Sequence, residues 1–433
     1  MTETQKSKRS GGTGRTGRTG GTGRTGGINR TGSINRTGSP AAYPPPRDLS
    51  QMPVREVEQD TRQKLSGVDA PFTVLVLLLQ AVGLIALFSA SYADAYYTMK
   101  GDSLHYAVRQ GIFAVIGLIA MFIISRMNYH KFHYFALPLM VGTIGLLATR
   151  KLVPSIWVKH NGAVRWIDLG VTEFQPSEIA KFAVILCFAS LISIYGPKKM
   201  HTLRYGTAPF VAMLGIICVL MKLQPHISGM IIVAGIGVVL MFIGGSNIFW
   251  LGLGAGAGAA GIVYVMLTME HAQQRLRVWL DPFIDVRGDG WQAVQSFLAI
   301  GSGGVWGLGL GKSRQKHLFL PEPANDFIFS VWCEEMGLIG AILVIVLFAA
   351  LILRGYYIAE RAGDKFGTLL AAGVTTQIAL QTIINMCVVS GLMPVTGASL
   401  PFFSAGGTSL VMLLAEVGVV LSVSRRIPAP KQG

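Results

Sequence analysis

The sequence predicts an all-α polytopic membrane protein of about ten transmembrane helices. Three observations predict it. The 433 residues are 51% hydrophobic and only 14% charged, whereas a soluble domain is about a quarter charged. Mean hydropathy is +0.50, and apolar segments long enough to cross a bilayer follow one another along the chain. Basic residues gather in the short connections between alternate segments, the pattern that sets membrane orientation.

The first 67 residues stand apart. They carry 12 Lys and Arg against 5 Asp and Glu, and Arg-Thr-Gly recurs from Arg15, Arg18, Arg24, Arg30 and Arg36. A Gly/Thr/Arg-rich stretch cannot bury a core, so 1–67 is predicted to be a disordered cytoplasmic tail that touches anionic headgroups. Pro44–Pro46 and Pro53 separate it from a membrane domain over 68–426, and 427–433 is a short second tail. The apolar segments lie near 71–92, 105–125, 132–149, 177–195, 207–223, 227–244, 247–269, 326–353, 366–390 and 403–424. An even number returns both termini to one side. Connections on that side hold Arg126 and Lys131, then Lys198, Lys199 and Arg204, then Arg354, Arg361 and Lys365. Together with the tail and Arg425–Arg426, they place both termini in the cytoplasm. The long connections 150–176 and 270–325, the latter between helices 7 and 8, are therefore extracytoplasmic. The glycine run Leu251–Gly261 suits close helix packing. The net charge of +15 is spread over tail and loops, which argues against nucleic acid. Cys187, Cys218, Cys333 and Cys387 all sit in apolar segments without CxxC spacing, so they read as small hydrophobes. No inverted repeat is visible, which gives little support to alternating access.

Chemistry concentrates in Leu320–Gly340. Asp326 stands at the mouth of the eighth segment, and Glu334 and Glu335 follow inside it. Intramembrane carboxylates mark functional sites by default, although Asp326 could simply cap the helix. The preceding loop brings Arg275, Arg277, Arg287, Lys312, Arg314 and Lys316 beside apolar patches and leads into Glu322 and Asp326. Such a cluster suits a phosphate or pyrophosphate headgroup, the alternative being a solvated loop. Arg165 and Trp166 are candidate interfacial anchors. Ser177 and Glu178 read as a helix cap, and Lys181 falls inside the membrane, where it needs a partner: Glu178, Glu334 or Glu335. Gly307–Ser313 mimics a P-loop, but Trp306 occupies the position of the first glycine and no strand precedes it. Ser177 and Lys181 are four apart, where an acyl-enzyme pair needs three.

Four ordered blocks then carry a resemblance. They are Arg165-Trp166-Ile167 with Phe174-Gln175-Pro176-Ser177-Glu178 and Lys181; Asp281-Pro282 with Gly288-Asp289-Gly290-Trp291-Gln292 and Gly301-Ser302-Gly303-Gly304; Leu320-Pro321-Glu322 with Asp326-Phe327-Ile328-Phe329 and Glu334-Glu335; and Leu400-Pro401-Phe402-Phe403-Ser404 with Gly406-Gly407-Thr408-Ser409. Over about 71–426 the chain resembles the SEDS family (shape, elongation, division and sporulation) of peptidoglycan glycosyltransferases, closest to its division branch. The resemblance implies an inverting polymerase of lipid II, the undecaprenyl-pyrophosphate disaccharide-peptide, in the bacterial cytoplasmic membrane. It implies Asp326 as the catalytic residue and a class B penicillin-binding transpeptidase as partner, among other division or elongation proteins. Arg165, Lys181, Arg275, Arg277, Lys312, Arg314, Lys316, Glu322, Glu334 and Glu335 are the expected substrate-binding residues. A divalent cation, Mg or Mn, would bridge the pyrophosphate, though no dedicated cage is visible. Three positions depart from the family pattern: Ala324-Asn325 where His-Thr is common, Gln224-Pro225-His226 where Gln-Pro-Asp supplies an acidic partner for Lys181, and Ser404-Ala405-Gly406-Gly407 where Ser-Tyr-Gly-Gly stands. A lipid II flippase and a non-catalytic division scaffold are the rival readings.

Overall fold

A computed structural model describes residues 67–160, 163–168, 170 and 172–427. The expectations for the tails 1–67 and 427–433 fall almost wholly outside them. Among the described residues, ten helical spans are long and apolar enough to cross a membrane. In order the helices are α1 (Ala70–Thr98), α2 (His105–Arg126), α3 (Ala136–Leu152), α4 (Pro176–Met200), α5 (Ala208–Lys222), α6 (Ile227–Gly244), α7 (Ile248–Thr268), α8 (Glu270–Leu280), α9 (Trp291–Gly303), α10 (Ile328–Glu360), α11 (Lys365–Val389) and α12 (Gly407–Ser424). A short 3-10 turn, Tyr129–Phe135, leads into α3, and a π-helical turn, Leu203–Thr207, leads into α5. Buried positions dominate α4, α6, α11 and α12, which form the centre, with α12 packed on α2 and α10 on α11.

The all-α expectation holds for the ten spans, and one connection adds a small sheet. The connection 150–176 folds into a three-stranded antiparallel sheet, β1 (Trp157–His160), β2 (Ala163–Asp168) and β3 (Glu173–Phe174), in the order β1-β2-β3. The run Ala163-Val164-Arg165-Trp166-Ile167-Asp168 alternates: Arg165 and Ile167 are buried on one face while Val164 and Trp166 are only partly covered. Period-two alternation is what a half-buried strand requires. The other long connection is not irregular either, since it contains α8 and α9. The membrane spans α1 and α10 also run longer than hydropathy alone indicates.

Two helices break at glycine, and one break positions the site. In α10, Gly337 has φ +63° and ψ −163°. A break inside an apolar bundle leaves backbone groups that must find partners. The loop after α9 supplies them: Leu308 N–H donates to Glu334 O at 3.0 Å and Gly309 N–H to Glu335 O at 2.9 Å. Beyond the break Leu338 N–H donates to Gly304 O at 2.9 Å and Ile339 N–H to Val305 O at 3.3 Å. Side chains at Gly303, Gly307 or Gly337 would collide with the facing backbone. Gly303, Gly307 and Gly337 thus let one chain segment lie against a broken helix, and Gly307 is the member of the P-loop-like stretch that takes part.

The glycine run of α7 behaves otherwise than expected. Only Leu251 and Val265 of α7 are buried, and nothing lies within 4 Å of a side chain placed at Gly252, Gly256, Gly258 or Gly261. This helix runs along the edge of the bundle, and of the glycines in the run only Gly254 meets a neighbour, where a Cβ would sit 3.1 Å from the Val211 side chain of α5.

Candidate functional site

Asp326 lies two residues before α10. Phe327 takes the N-cap position and makes no capping side-chain bond, so Asp326 is not a helix cap. The segment 322–327 is a tight turn in which Asn325 N–H donates to Glu322 O at 3.1 Å and Asn325 Nδ2 to Glu322 Oε2 at 2.5 Å. The strap between α11 and α12 holds it from the side. Asn385 Nδ2 donates to Asp326 O at 2.8 Å and to Ala398 O at 2.7 Å. Ser404 Oγ donates to Asn325 O at 2.7 Å and accepts from Leu400 N–H at 2.8 Å, while Ala405 N–H donates to Ala324 O at 2.8 Å. The alanine at 405 therefore keeps the backbone contact. Gly397 closes the strap with φ +75°, and a Cβ there would sit 3.3 Å from both Arg165 Nη1 and Asp326 Oδ2. Only glycine combines that conformation with that space.

Two guanidiniums face the carboxyl. Arg165, 7% exposed, projects from β2 and donates to Pro225 O at 2.7 Å. It is thus a buried residue and not the interfacial anchor its sequence context predicts. Arg275 comes from α8 and donates to Val395 O at 3.1 Å. Burial of Asp326 and the neighbouring Glu322 charge push its carboxyl up to about 6, against the pull of Arg165 and Arg275. Burial, with Arg275 alongside, brings Arg165 down to about 10, still cationic at neutral pH, and burial lowers Arg275 too. His226 is held neutral, first by burial and then by the Arg165 and Lys181 charges. A cavity of about 250 Å³ opens beside the pair of arginines, walled also by Gln274, Trp279, Phe297 and Met393. A carboxylate that ionises near neutrality beside fixed cations suits a general base next to an anion site.

The other candidates are placed elsewhere. Arg277, Lys312 and Arg314 are exposed, while the charges of Glu322, Arg165 and Arg275 act on Asp326. Lys316, Glu334 and Glu335 are buried in a closed lock. Glu335 accepts from Ser89 Oγ at 2.7 Å, from Lys316 Nζ at 2.9 Å and from Ser313 N–H at 3.3 Å. Glu334 accepts from Arg314 N–H at 2.9 Å, Gln315 N–H at 3.3 Å and the Ser313 hydroxyl. These carboxylates are saturated by the chain itself and fasten the loop after α9 to α10 and α1. Lys181 pairs with Glu178 at 2.8 Å, not with Glu334 or Glu335. The N-cap of α4 is Gln175, followed by Pro176, so Ser177 and Glu178 lie inside the helix. Among the described residues no group of three or more His, Cys, Asp or Glu is placed to hold a metal ion.

Sequence reasoning did not single out Asn385 or Gly397, nor did it pair Arg165 with the Pro225 carbonyl. An Asn inside an otherwise apolar segment and a glycine in the short connection after it were the available signals.

Comparison with known proteins agrees with the ten-helix fold. Residues 69–427 match the model of the FtsW/RodA/SpoVE family, described as cell cycle protein. Stage V sporulation protein E of Bacillus subtilis (strain 168) is 39% identical over 365 residues, which is 84% of this chain and 98% of that protein. The probable peptidoglycan glycosyltransferase FtsW of Geobacter sp. (strain M18) is 36% identical over 366 residues, 84% of this chain and 99% of its own length. A solved chain from a peptidoglycan synthase complex that coordinates polymerization and crosslinking superposes with a TM-score of 0.67 at 27% identity, covering 84% of this chain and 99% of that one. The rod shape determining protein RodA of Thermus thermophilus superposes with a TM-score of 0.61 at 27% identity, over 84% and 98% respectively. A match across the whole ten-helix body, in both sequence and structure, makes this chain a member of the FtsW/RodA/SpoVE family.

Proposed function

We propose that Asp326 is the general base of a lipid II polymerase, working at the outer face of the bacterial cytoplasmic membrane. The chain is a peptidoglycan glycosyltransferase. The observation that carries the assignment of Asp326 is its carboxyl, raised to about 6, next to Arg165 and Arg275 at the rim of the cavity. The C4-hydroxyl oxygen of the acceptor sugar attacks the anomeric carbon of the donor, and its proton passes to Asp326. The bond from that carbon to the pyrophosphate oxygen breaks, and the electron pair leaves with undecaprenyl pyrophosphate. Arg165 and Arg275, still cationic, stabilise the charge that builds on the leaving group. Direct displacement converts an α-linked donor into a β-linked glycan without a covalent intermediate. A Mg ion, if bound, would be held by the substrate phosphates with Glu322, leaving Asp326 free as base, and would add charge neutralisation at the pyrophosphate. In this reading the end of the bundle bearing the sheet, α8 and α9 faces outward and both termini are cytoplasmic, as the basic short loops favour. The partner is a class B penicillin-binding transpeptidase that cross-links the product, at the septum if the division branch is the right one.

The test is glycan formation from labelled lipid II by the purified chain with its transpeptidase, alongside lipid II transfer across vesicles. Polymer is expected in the first assay. Transfer without polymer would overturn the reading in favour of a flippase.

A further inference from the structure

The second turn of α2 carries a buried amide that this mechanism does not use. Gln110 is 3% exposed, and a polar side chain inside a membrane helix is costly unless its groups are paired. Both groups of Gln110 go to one short piece of the strap that leads into α12. Its Nε2 donates to Ser404 O at 3.1 Å, and its Oε1 accepts from Gly406 N–H at 3.2 Å.

These two contacts bracket the ones that hold the turn bearing Asp326. Between them lies Ala405 N–H, which donates to Ala324 O at 2.8 Å, and Ser404 Oγ donates to Asn325 O at 2.7 Å. Residues 404–406 therefore form a ribbon with Gln110 on one edge and residues 324–325 on the other, the alternation of backbone groups that an extended segment shows. The strap needs such a grip. Phe402, two residues before the ribbon, is buried at φ +67°, a conformation that a bulky side chain keeps only where its surroundings enforce it. Helix α1 bears on this residue, since a Cβ at Gly83 would collide with the Phe402 carbonyl. Helix α2 bears on the other end, where a Cβ at Gly407 would collide with the Phe113 ring, one turn after Gln110.

We propose that Gln110 is a positioning residue for glycan polymerisation: by gripping Ser404 O and Gly406 N–H it fixes the strap that sets the Asp326 turn against Arg165 and Arg275. This rests on the polymerase reading. Loss of the amide leaves two backbone groups of the strap unpaired in an apolar setting, which is costly. The ribbon then shifts to find partners, and Ala324 and Asn325 move with it.

The experiment uses the full chain with its transpeptidase and measures kcat, apparent KM for lipid II and the pH profile of the rate. Gln110→Met removes both bonds and nearly keeps the volume. It is expected to lower kcat roughly ten- to hundredfold, the scale on which small misplacements of reacting groups act, with KM nearly unchanged. Gln110→Asn, one methylene too short to reach both groups, is expected to lose less, and it carries the same readouts if the Met variant does not fold. Burial is the main reason that the Asp326 carboxyl stands high, with Glu322 adding to it and Arg165 and Arg275 opposing. A loosened turn therefore moves the acid limb to lower pH, whereas a smaller folded fraction would scale the rate equally at every pH. Ser404→Ala cuts one link on the opposite edge of the ribbon. Combined with the Gln110 variant, it is expected to cost clearly less than the product of the two separate losses, because both act through one contact. Thermal melting of each purified variant checks the fold. Wild-type kcat in a folded Gln110 variant would overturn the inference, as would an unmoved acid limb or fully multiplicative losses. A wild type that forms no glycan at all would instead remove the polymerase reading beneath it.

Discussion

Acidification should silence polymerisation through one carboxyl. Burial and the Glu322 charge hold Asp326 at about 6, well above its ordinary value near 3.8. At pH 7 about ten Asp326 side chains are ionised for each protonated one, and at pH 5 the ratio inverts, because each unit of pH is a factor of ten. Turnover by a base at this position therefore falls about tenfold between pH 7 and pH 5. An ordinary aspartate would still be more than about nine-tenths ionised at pH 5. Because the carboxyl is raised in the folded protein, its contribution to stability is largest below about 4 and is lost as pH rises through about 6. Protonation of Asp326 on the acid side thus silences the base without unfolding the chain. Glu322→Gln removes the neighbouring negative charge while leaving an oxygen for Asn325, and should move the acid limb to lower pH. Arg275→Gln removes a cation and should move it higher. The assay is the initial rate of glycan formation across pH 4.5–8 in fixed ionic strength, with melting followed in parallel. A wild-type rate unchanged from pH 7 to pH 5, or a limb that ignores both substitutions, would refute the assignment.

Two further outcomes concern the scaffold. Lys316→Met or Glu335→Gln breaks one side of the buried lock with Ser89 and Ser313, and each should cost about 3–5 kcal/mol of stability because a buried charge loses its partner; the apolar pair Lys316→Met with Glu335→Leu should recover part of it, read by thermal or denaturant unfolding in detergent. Gly397→Ala forces a side chain into a φ of +75° and against both Arg165 and Asp326. The backbone alone should cost about 1–2 kcal/mol, and the rate should fall more than stability does, which paired kcat and melting measurements would establish.

How far the sequence was legible depended on the range of the signal. Hydropathy is a local sum, so the ten spans read directly from it, with ends off by a few residues where the long helix α10 continues past the apolar stretch to Glu360. The sheet over 157–174 was legible in principle from the alternation around Arg165, but its short strands were overshadowed by the apolar segments on either side. Of the site, Asp326, Glu322, Arg165 and Arg275 were all identified from charge near a membrane mouth and from resemblance. Glu334, Glu335 and Lys316 were identified by the same charge rule, yet their partners are the backbone amides of residues 313–315 and Ser89. Nothing local distinguishes a carboxylate that awaits a ligand from one already saturated by its own loop. Asn385 and Gly397 were missed for a related reason: each acts through a contact with residues about 60 or more positions away in sequence, Asp326 for the first and Arg165 and Asp326 for the second.

The central claim is that Asp326 takes the acceptor's proton, and one substitution tests it most directly. Asp326→Asn keeps the size and the backbone bond to Asn385 and removes the base. Wild type and variant, each with the transpeptidase partner, would be compared for glycan formation from labelled lipid II and for lipid II binding. The expected result is polymer from the wild type and a loss of at least about a hundredfold in the variant, with binding retained. Equal polymer from both would contradict the account and remove Asp326 from the chemistry.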